Sequence, residues 1–110
     1  MAVQGALQTD ALKGKTVVVT GGGTGLGKAM STYFSELGAN VVISSRKLDV
    51  LEEAAKEIQE KTGNPVLPVA CDIRNTEEIT LLREKAVKLF GRVDVLVNNA
   101  AGNFISPTER

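Results

Sequence analysis

Four short runs of β-branched and other apolar residues alternate along the chain with longer segments of mixed polarity. These runs lie at residues 15–20, 41–44, 66–71 and 93–97, and the first of them stops at a cluster of glycines. Continuous apolar runs of this length are typical of strands that are buried on both faces of a sheet. Pro68 interrupts the third run, and because proline cannot donate a ladder hydrogen bond, we expect that strand at or near an edge.

Three longer segments between these runs predict helices, because their apolar residues recur every three or four positions. The first spans 25–38, the second spans about 49–61, and the third runs from Asn75 to Gly91. Asn75 and Glu78 have the spacing of a capping box, with Asn in place of the usual Ser or Thr. The residues expected to face inward are Leu26, Met30, Phe34, Leu37, Leu51, Ala54, Ala55, Ile58, Ile79, Leu82, Ala86 and Leu89.

The order of these elements, β-α-β-α-β-α-β with short connections, indicates an α/β protein with a parallel sheet and helices on both of its faces. In a Rossmann-type, doubly wound sheet the strand order is 3-2-1-4, and four strands form only the first half of the domain. We therefore interpret residues 1–110 as the truncated amino-terminal part of a single domain, with a polar lead-in at 1–14. The fourth strand is expected to be an open edge, so the isolated chain is expected to aggregate or to bind its ligand poorly.

The composition excludes several classes of function. Lys and Arg together number 13, as do Asp and Glu, and this zero net charge gives no electrostatic signature for nucleic acid or for an anionic membrane surface. The chain has no His and a single Cys, Cys71, which excludes a Ser-His-Asp triad, a Cys-His pair and an internal disulfide. We expect no metal site, and we interpret Cys71 as a small buried hydrophobe.

The amino-terminal residues resemble neither a secretory signal nor an organelle transit peptide. They lack a basic start and a sustained apolar run, Asp10 comes early, and the first Arg is Arg46. No apolar run approaches the roughly 20 residues that a membrane-spanning helix needs. The sequence therefore predicts a location in the cytoplasm, or in the mitochondrial matrix after removal of a presequence.

A glycine-rich turn joins the first strand to the first helix. It consists of Thr20, Gly21, Gly22, Gly23, Thr24, Gly25, Leu26 and Gly27. Residues without a Cβ atom let backbone N–H groups approach a pyrophosphate, and the following helix presents its positive amino-terminal end. This setting inside a βαβ unit favours a dinucleotide site, although tight helix packing without a ligand would also explain the glycines.

The T-G-x-x-x-G-x-G spacing of this turn resembles the glycine motif of the short-chain dehydrogenase/reductases. Asp72, at the end of the third strand, matches that family's adenine-contacting Asp, and the run Asn-Asn-Ala-Ala-Gly at 98–102 matches its N-N-A-G, with Ala101 in place of the Gly. The resemblance implies cofactor contacts by Gly21, Gly22, Gly23, Thr24, Gly25, Leu26, Ser45, Arg46, Asp72, Asn98 and Ala100. The alternatives are that Asp72 bonds its local backbone and that Asn98 and Asn99 bond neighbouring strands.

The residues after the second strand distinguish NAD from NADP. An NAD enzyme places Asp or Glu there to bind the ribose 2′-hydroxyl, whereas this chain has Ser45, Arg46 and Lys47. Arg46 can bind a 2′-phosphate with its planar guanidinium, and its two neighbours can add a hydroxyl and a positive charge. We therefore predict NADP(H) as the cofactor. The alternative is that Arg46 and Lys47 form a solvated turn before the second helix.

Residues 44–51 and 100–109 are most similar to the 2,4-dienoyl-CoA reductases of this family. The resemblance implies reduction of a dienoyl thioester by NADPH in the β-oxidation of unsaturated fatty acids, and a tetrameric homo-oligomer. It also places Arg74 and Phe104 at an acyl-CoA site, although the two could equally be a surface Arg and a loop anchor. The family's catalytic Tyr and Lys would lie beyond Arg110, so the chain alone is expected to be inactive.

Two other functions remain open at this point. The glycine motif fits a reductase of a 3-oxoacyl thioester or of a sugar equally well, and it also fits a nucleotide-binding fragment that does not catalyse. Tyr33 does not help to separate them, because it lies inside the first helix, where we expect it to pack rather than to act in catalysis.

Overall fold

The computed structural model of the chain describes residues 11–99 and, for the backbone alone, residues 104–107. This part of the chain contains five strands and three helices. Strands and helices alternate as far as the fourth strand, and the fifth strand follows the fourth with no helix between them. Their bounds are β1 Thr16–Thr20, α1 Gly25–Glu36, β2 Asn40–Ser45, α2 Leu48–Thr62, β3 Val66–Ala70, α3 Thr76–Phe90, β4 Val95–Asn98 and β5 Phe104–Pro107.

The strands form one sheet in the order β3-β2-β1-β4-β5, and the first four of these are parallel. This confirms the doubly wound arrangement and the 3-2-1-4 order. Pro68 lies in β3 opposite Ile43, and β3 is an edge strand, as its proline predicted. The parallel arrangement brings the carboxyl ends of β1, β2 and β3 together at one end of the sheet.

The prediction that β4 is an open edge was wrong. The segment Phe104–Pro107 pairs with β4 in the antiparallel direction, with Phe104 opposite Asn98 and Pro107 opposite Val95. A strand edge presents unpaired N–H and C=O groups, and the nearest chain segment satisfies them here. The open edge of β4 was the reason for expecting the isolated chain to aggregate, and that reason no longer holds.

The core has two layers, because alternate residues of each strand point to opposite faces of the sheet. On one face Val17, Val19, Val41 and Ile43 pack with the buried stripe of α2, which comprises Leu51, Ala54, Ala55 and Ile58. On the other face Val18, Val42 and Val69 pack with Cys71 and with Leu82 and Ala86 of α3. These two layers bury both faces of the parallel strands.

Several predicted inward positions are exposed instead. Leu26 and Leu89 are 53% and 59% exposed, and Ile79 and Tyr33 are 40% and 56% exposed. Leu26 is exposed because it lies in the first turn of α1. Helix α3 contacts the sheet through Leu82 and Ala86, a narrower stripe than its apolar pattern predicts, so Ile79 and Leu89 are left at the edges of that stripe. The prediction that Tyr33 packs in the interior is therefore wrong, because most of its surface is exposed. Its ring lies beside that of Phe34, with the two centroids 6.1 Å apart.

Helices α2 and α3 end at glycines in the left-handed conformation, Gly63 with φ of 78° and Gly91 with φ of 85°. Gly91 ends α3 where the sequence predicted. Among the residues that the structure describes, no helix has both the length and the apolar character needed to cross a bilayer.

Candidate functional site

Two adjoining clefts open where the carboxyl ends of β1, β2 and β3 meet, which is where open parallel sheets bind ligands. Their volumes are about 490 Å³ and about 590 Å³. Gly21, Ser45 and Arg46 line both, so we treat them as one strand-end cleft. The remaining lining residues are Ser44, Cys71, Asp72, Ile73 and Arg74 on one side, and Gly23, Thr24, Lys47 and Val50 on the other.

Cations outnumber acids in the strand-end cleft. Arg46, Lys47 and Arg74 line it, and Asp72 is the one acid among its described lining residues. Such an excess of positive charge in a cleft favours an anionic ligand. The hydroxyl of Ser45 accepts a hydrogen bond from the backbone N–H of Lys47 at 3.2 Å, which shapes the turn that carries Arg46.

The glycine-rich turn leaves space for a ligand at one position and is packed tightly at another. A Cβ atom on Gly22 would lie 2.7 Å from Cγ2 of Ile43, so packing alone requires glycine there. Gly25 has φ of +55°, and a Cβ atom there would meet no described atom within 4 Å. The backbone N–H of Gly21 donates to the carbonyl of Ser44 at 2.6 Å and ties the turn to β2. Packing therefore explains Gly22, whereas the space beside Gly25 is open to a ligand.

The amino-terminal end of α1 carries no compensating negative charge from its own first turn. Its N-cap residue, Thr24, makes no side-chain capping bond, and no acidic residue lies in the first turn. The first N–H groups of the helix and the positive end of its dipole are therefore available to an anion. Leu26 projects from the same turn and is mostly exposed.

Two asparagines at the end of β4 tie the turn to the sheet. The hydroxyl of Thr20 donates to Oδ1 of Asn98 at 2.9 Å, and Nδ2 of Asn99 donates to the carbonyl of Gly21 at 3.3 Å. These bonds give Asn98 the sheet-stabilising contact that the sequence left open. Cofactor binding by Asn98 stays a prediction. The sequence left a sheet-stabilising role open for Asn99 as well, and its bond to Gly21, the residue that follows β1, is of that kind.

Asp72 and Arg74 form an ion pair in the strand-end cleft. Oδ1 of Asp72 accepts from the backbone N–H of Arg74 at 2.9 Å and from its Nε at 3.1 Å, and Oδ2 accepts from Nη2 at 3.0 Å. The hydrogen bonds from Arg74, together with the charges of Arg74 and Arg46, lower the pKa of Asp72 to about 2. The carboxyl group is therefore ionised and acts only as an acceptor.

The connection from β3 to α3 fixes the backbone of Asp72. Oδ1 of Asn75 caps α3 by accepting from the N–H groups of Glu77 and Glu78, and the N–H of Asn75 donates to the carbonyl of Asp72 at 2.9 Å. The carboxylate of Glu78 accepts from the N–H of Asp72 at 2.9 Å rather than from that of Asn75. The capping-box spacing thus identified the right residues, but Glu78 has a different partner.

Three further residues singled out in the sequence are Cys71, Ala100 and Phe104. Burial raises the pKa of the Cys71 thiol, which agrees with its interpretation as a small buried hydrophobe. Ala100 lies outside the described residues, and Phe104 is described only through its backbone, which begins β5 opposite Asn98. Within the described part of the chain, no group of three or more His, Cys, Asp or Glu side chains could hold a metal ion.

Comparison with known proteins places this geometry in a family. The family model described as short chain dehydrogenase matches residues 15–110. The chain is 50% identical over 105 residues to a probable 2,4-dienoyl-CoA reductase of Caenorhabditis elegans, covering 94% of this chain and 34% of that protein. It is 46% identical over 99 residues to a probable 2,4-dienoyl-CoA reductase of Bacillus subtilis, covering 87% of this chain and 37% of that protein.

A solved structure shares the fold at somewhat lower identity. The structure of L-sorbose reductase from Gluconobacter frateurii complexed with NADPH and L-sorbose superimposes with a TM-score of 0.78 and 38% identity, covering 83% of this chain and 35% of that chain. The chain thus spans about a third of the length of the relatives that it matches.

Proposed function

The chain belongs to the short-chain dehydrogenase/reductase family, and we therefore propose that it is the amino-terminal, cofactor-binding part of an NADPH-dependent reductase of 2,4-dienoyl-CoA thioesters. The observation that carries this proposal is the strand-end cleft, in which a glycine-rich turn and a helix amino terminus face three cations. The catalytic Tyr and Lys are expected in the part of the full-length protein that follows residue 110.

The pyrophosphate of the cofactor is expected at the glycine-rich turn. The open space beside Gly25 admits close approach of a phosphate, and the unneutralised amino terminus of α1 stabilises its charge. Gly21, Gly22, Gly23 and Thr24 would supply the backbone that surrounds the pyrophosphate. Leu26 would contact the cofactor beyond it.

The preference for NADPH rests on the residues that follow β2. Arg46 lines both halves of the strand-end cleft, and Ser45 stands where an NAD enzyme would place an acid. A guanidinium binds a phosphate with two parallel hydrogen bonds, whereas a carboxylate at residue 45 would repel it. Arg46 would therefore hold the 2′-phosphate, with Ser45 and Lys47 as its neighbours.

The substrate assignment rests on the relatives and on the placement of two residues. NADPH would supply a hydride to the far end of the conjugated dienoyl group, and a proton would add nearer the thioester to give a 3-enoyl-CoA. Arg74 is 74% exposed at the rim of the cleft, where we expect it to contact the acyl-CoA, and Phe104 begins β5 beside the end of β4. The Caenorhabditis elegans relative that is 50% identical to the chain has this activity in its name.

We also propose that the full-length protein is a homo-oligomer, a tetramer by analogy with its family. Its compartment is proposed to be the cytoplasm or the mitochondrial matrix. A relative from Danio rerio that is 42% identical is named as a peroxisomal enzyme, so a peroxisomal location is an alternative.

A second candidate function is reduction of a sugar or of another carbonyl compound. The similarity to L-sorbose reductase, at 38% identity, supports it. The experiment that separates the two offers the full-length protein NADPH with a 2,4-dienoyl-CoA, a 3-oxoacyl-CoA or L-sorbose and follows the loss of reduced cofactor. We expect oxidation with the dienoyl thioester. Oxidation only with the 3-oxoacyl thioester or the sugar would refute the substrate assignment and leave the cofactor assignment in place.

A further inference from the structure

We propose that Arg74 is a positioning residue for the adenine ring of the cofactor: its guanidinium orients the Asp72 carboxylate so that one acceptor position of Oδ2 stays free for an adenine amino group. This inference rests on the proposed function, because it takes the strand-end cleft to be the cofactor site. It assigns to Arg74 a role that is separate from contact with the substrate.

The first step is that the backbone of Asp72 is already fixed. Its N–H donates to the carboxylate of Glu78 at 2.9 Å, and its carbonyl accepts from the N–H of Asn75 at 2.9 Å. The preceding residue, Cys71, donates its N–H to the carbonyl of Ser45 at 2.8 Å. With the backbone held on both sides, the remaining freedom of Asp72 lies in its side-chain torsions.

The second step is that Arg74 restricts those torsions. Its backbone N–H and its Nε occupy Oδ1, and its Nη2 occupies Oδ2, at 2.9, 3.1 and 3.0 Å. An ionised carboxylate offers about four acceptor positions, two on each oxygen. The pairing with Arg74 uses both positions of Oδ1 and one of Oδ2. One position of Oδ2 is therefore left for a donor from a ligand in the cleft.

The third step is that this pair contributes little to the stability of the fold. The side chain of Arg74 is 74% exposed and that of Asp72 is 29% exposed. Exposed ion pairs typically contribute less than about 1 kcal/mol to stability. Replacing the Arg74 side chain should therefore leave the protein folded while removing two of the three hydrogen bonds that orient the carboxylate, since the backbone N–H of residue 74 remains.

The chain provides a matched control at the opposite end of the sheet. Arg92 pairs with Asp94 across the same spacing of two residues, through Nε at 3.0 Å and Nη2 at 2.6 Å. Asp94 also accepts from the N–H of Thr16 at the start of β1. This second pair has the same composition but lies far from the strand-end cleft.

The experiment measures dissociation constants of the full-length protein for NADPH and for its hypoxanthine analogue, in which a carbonyl oxygen replaces the adenine amino group. We compare the wild type with the variants Arg74→Met, Arg74→Lys and Arg92→Met. Both ligands carry the same phosphates and differ only at the edge of the base, in the amino group and in the proton on N1, so the ratio of the two constants reports on that edge and not on general charge. Activity with a dienoyl-CoA is measured separately.

We expect the wild type and Arg92→Met to bind NADPH about tenfold more tightly than the analogue. In Arg74→Met the ratio of the two dissociation constants should fall towards one. Arg74→Lys should also lose most of the preference for NADPH, because lysine keeps the charge but cannot bind both carboxylate oxygens through two nitrogens. Equal weakening of both ligands in Arg74→Met, or no preference in the wild type, would overturn the inference. A preserved ratio with a raised KM for the acyl-CoA would also overturn it and would support Arg74 as a substrate contact alone. A protein that shows the expected ratios but does not reduce the dienoyl-CoA would refute the proposed substrate and leave this inference standing.

Discussion

Gly27 lies so close to the backbone of Gly21 that a Cβ atom on residue 27 would sit 1.9 Å from the Gly21 carbonyl oxygen and 2.8 Å from Nδ2 of Asn99. The substitution Gly27→Ala must therefore displace the glycine-rich turn or the first turn of α1. We expect it to lower the free energy of unfolding of the full-length protein by about 2–3 kcal/mol, measured by urea denaturation. A change of less than about 0.5 kcal/mol would contradict this close packing.

Gly25→Ala is expected to act mainly on cofactor binding. A Cβ atom at residue 25 meets no described atom within 4 Å, and the positive φ of 55° costs about 1–2 kcal/mol for a residue other than glycine. The added methyl group would also occupy the space proposed for the pyrophosphate. We therefore expect the dissociation constant for NADPH, measured by titration, to rise at least about tenfold. Unchanged affinity would place the pyrophosphate elsewhere.

Ser45→Asp is expected to reverse the cofactor preference. A carboxylate at the end of β2 would accept hydrogen bonds from the ribose 2′-hydroxyl of NADH and would repel the 2′-phosphate of NADPH. Dissociation constants for the two cofactors measure the change, and Ser45→Ala is the control, since it removes the hydroxyl without adding charge. If Ser45→Asp still binds NADPH more tightly than NADH, the assignment of the 2′-phosphate to Ser45 and Arg46 is wrong.

Asp94 is expected to stabilise the fold in a pH-dependent manner. Its carboxylate joins the start of β4 to the start of β1 by accepting from the N–H of Thr16 at 2.8 Å and from Arg92. Burial disfavours the charged form, but the hydrogen bonds from Arg92 and Thr16 outweigh this and lower the pKa of Asp94 below its ordinary value of 3.8. The folded state therefore holds this proton less tightly than the unfolded state does.

The stabilisation by Asp94 is consequently complete above the ordinary carboxyl pKa and is lost as the pH falls through the lowered pKa of the folded state. Asp94→Asn should reduce the free energy of unfolding by about 1–3 kcal/mol at neutral pH, since charged hydrogen bonds typically contribute this much. Denaturation of both proteins at a series of pH values tests this. The difference should shrink below about pH 4, and a difference that grows towards low pH would contradict the pairing.

Asn75→Ala removes the amino-terminal cap of α3, in which Oδ1 accepts from the N–H groups of Glu77 and Glu78. The expected cost is about 1 kcal/mol in the free energy of unfolding. Asn75→Ser keeps a capping oxygen and should restore most of it. If both variants are equally unstable, the side-chain cap is not the source of the effect.

The sequence predicted the elements and their order because long apolar periodicities and glycine positions are local signals. The interactions that it missed depend on distance in space. The pairing of Phe104–Pro107 with β4 follows from which chain segment reaches a free edge, and no local pattern marks it. Exposure of Ile79 and Leu89 likewise depends on how α3 is rotated against the sheet.

The site shows the same division between local and spatial information. The glycine motif, Arg46 and Asp72 are visible in the sequence because each lies within two residues of the end of a strand, and the parallel sheet brings those ends together. The partners of Asp72 are not visible there. Its pairing with Arg74 depends on side-chain torsions, and its bond to Glu78 depends on how the first turn of α3 meets the end of β3.

The most direct test of the proposed function is the ratio of kcat/KM for NADPH to that for NADH, measured on the full-length protein with a 2,4-dienoyl-CoA as substrate. We expect NADPH to be oxidised with a preference of at least about tenfold, because we propose that Arg46 binds the 2′-phosphate and because residue 45 carries no acid. An equal or greater rate with NADH, or no oxidation of NADPH in the presence of the dienoyl thioester, would contradict the account.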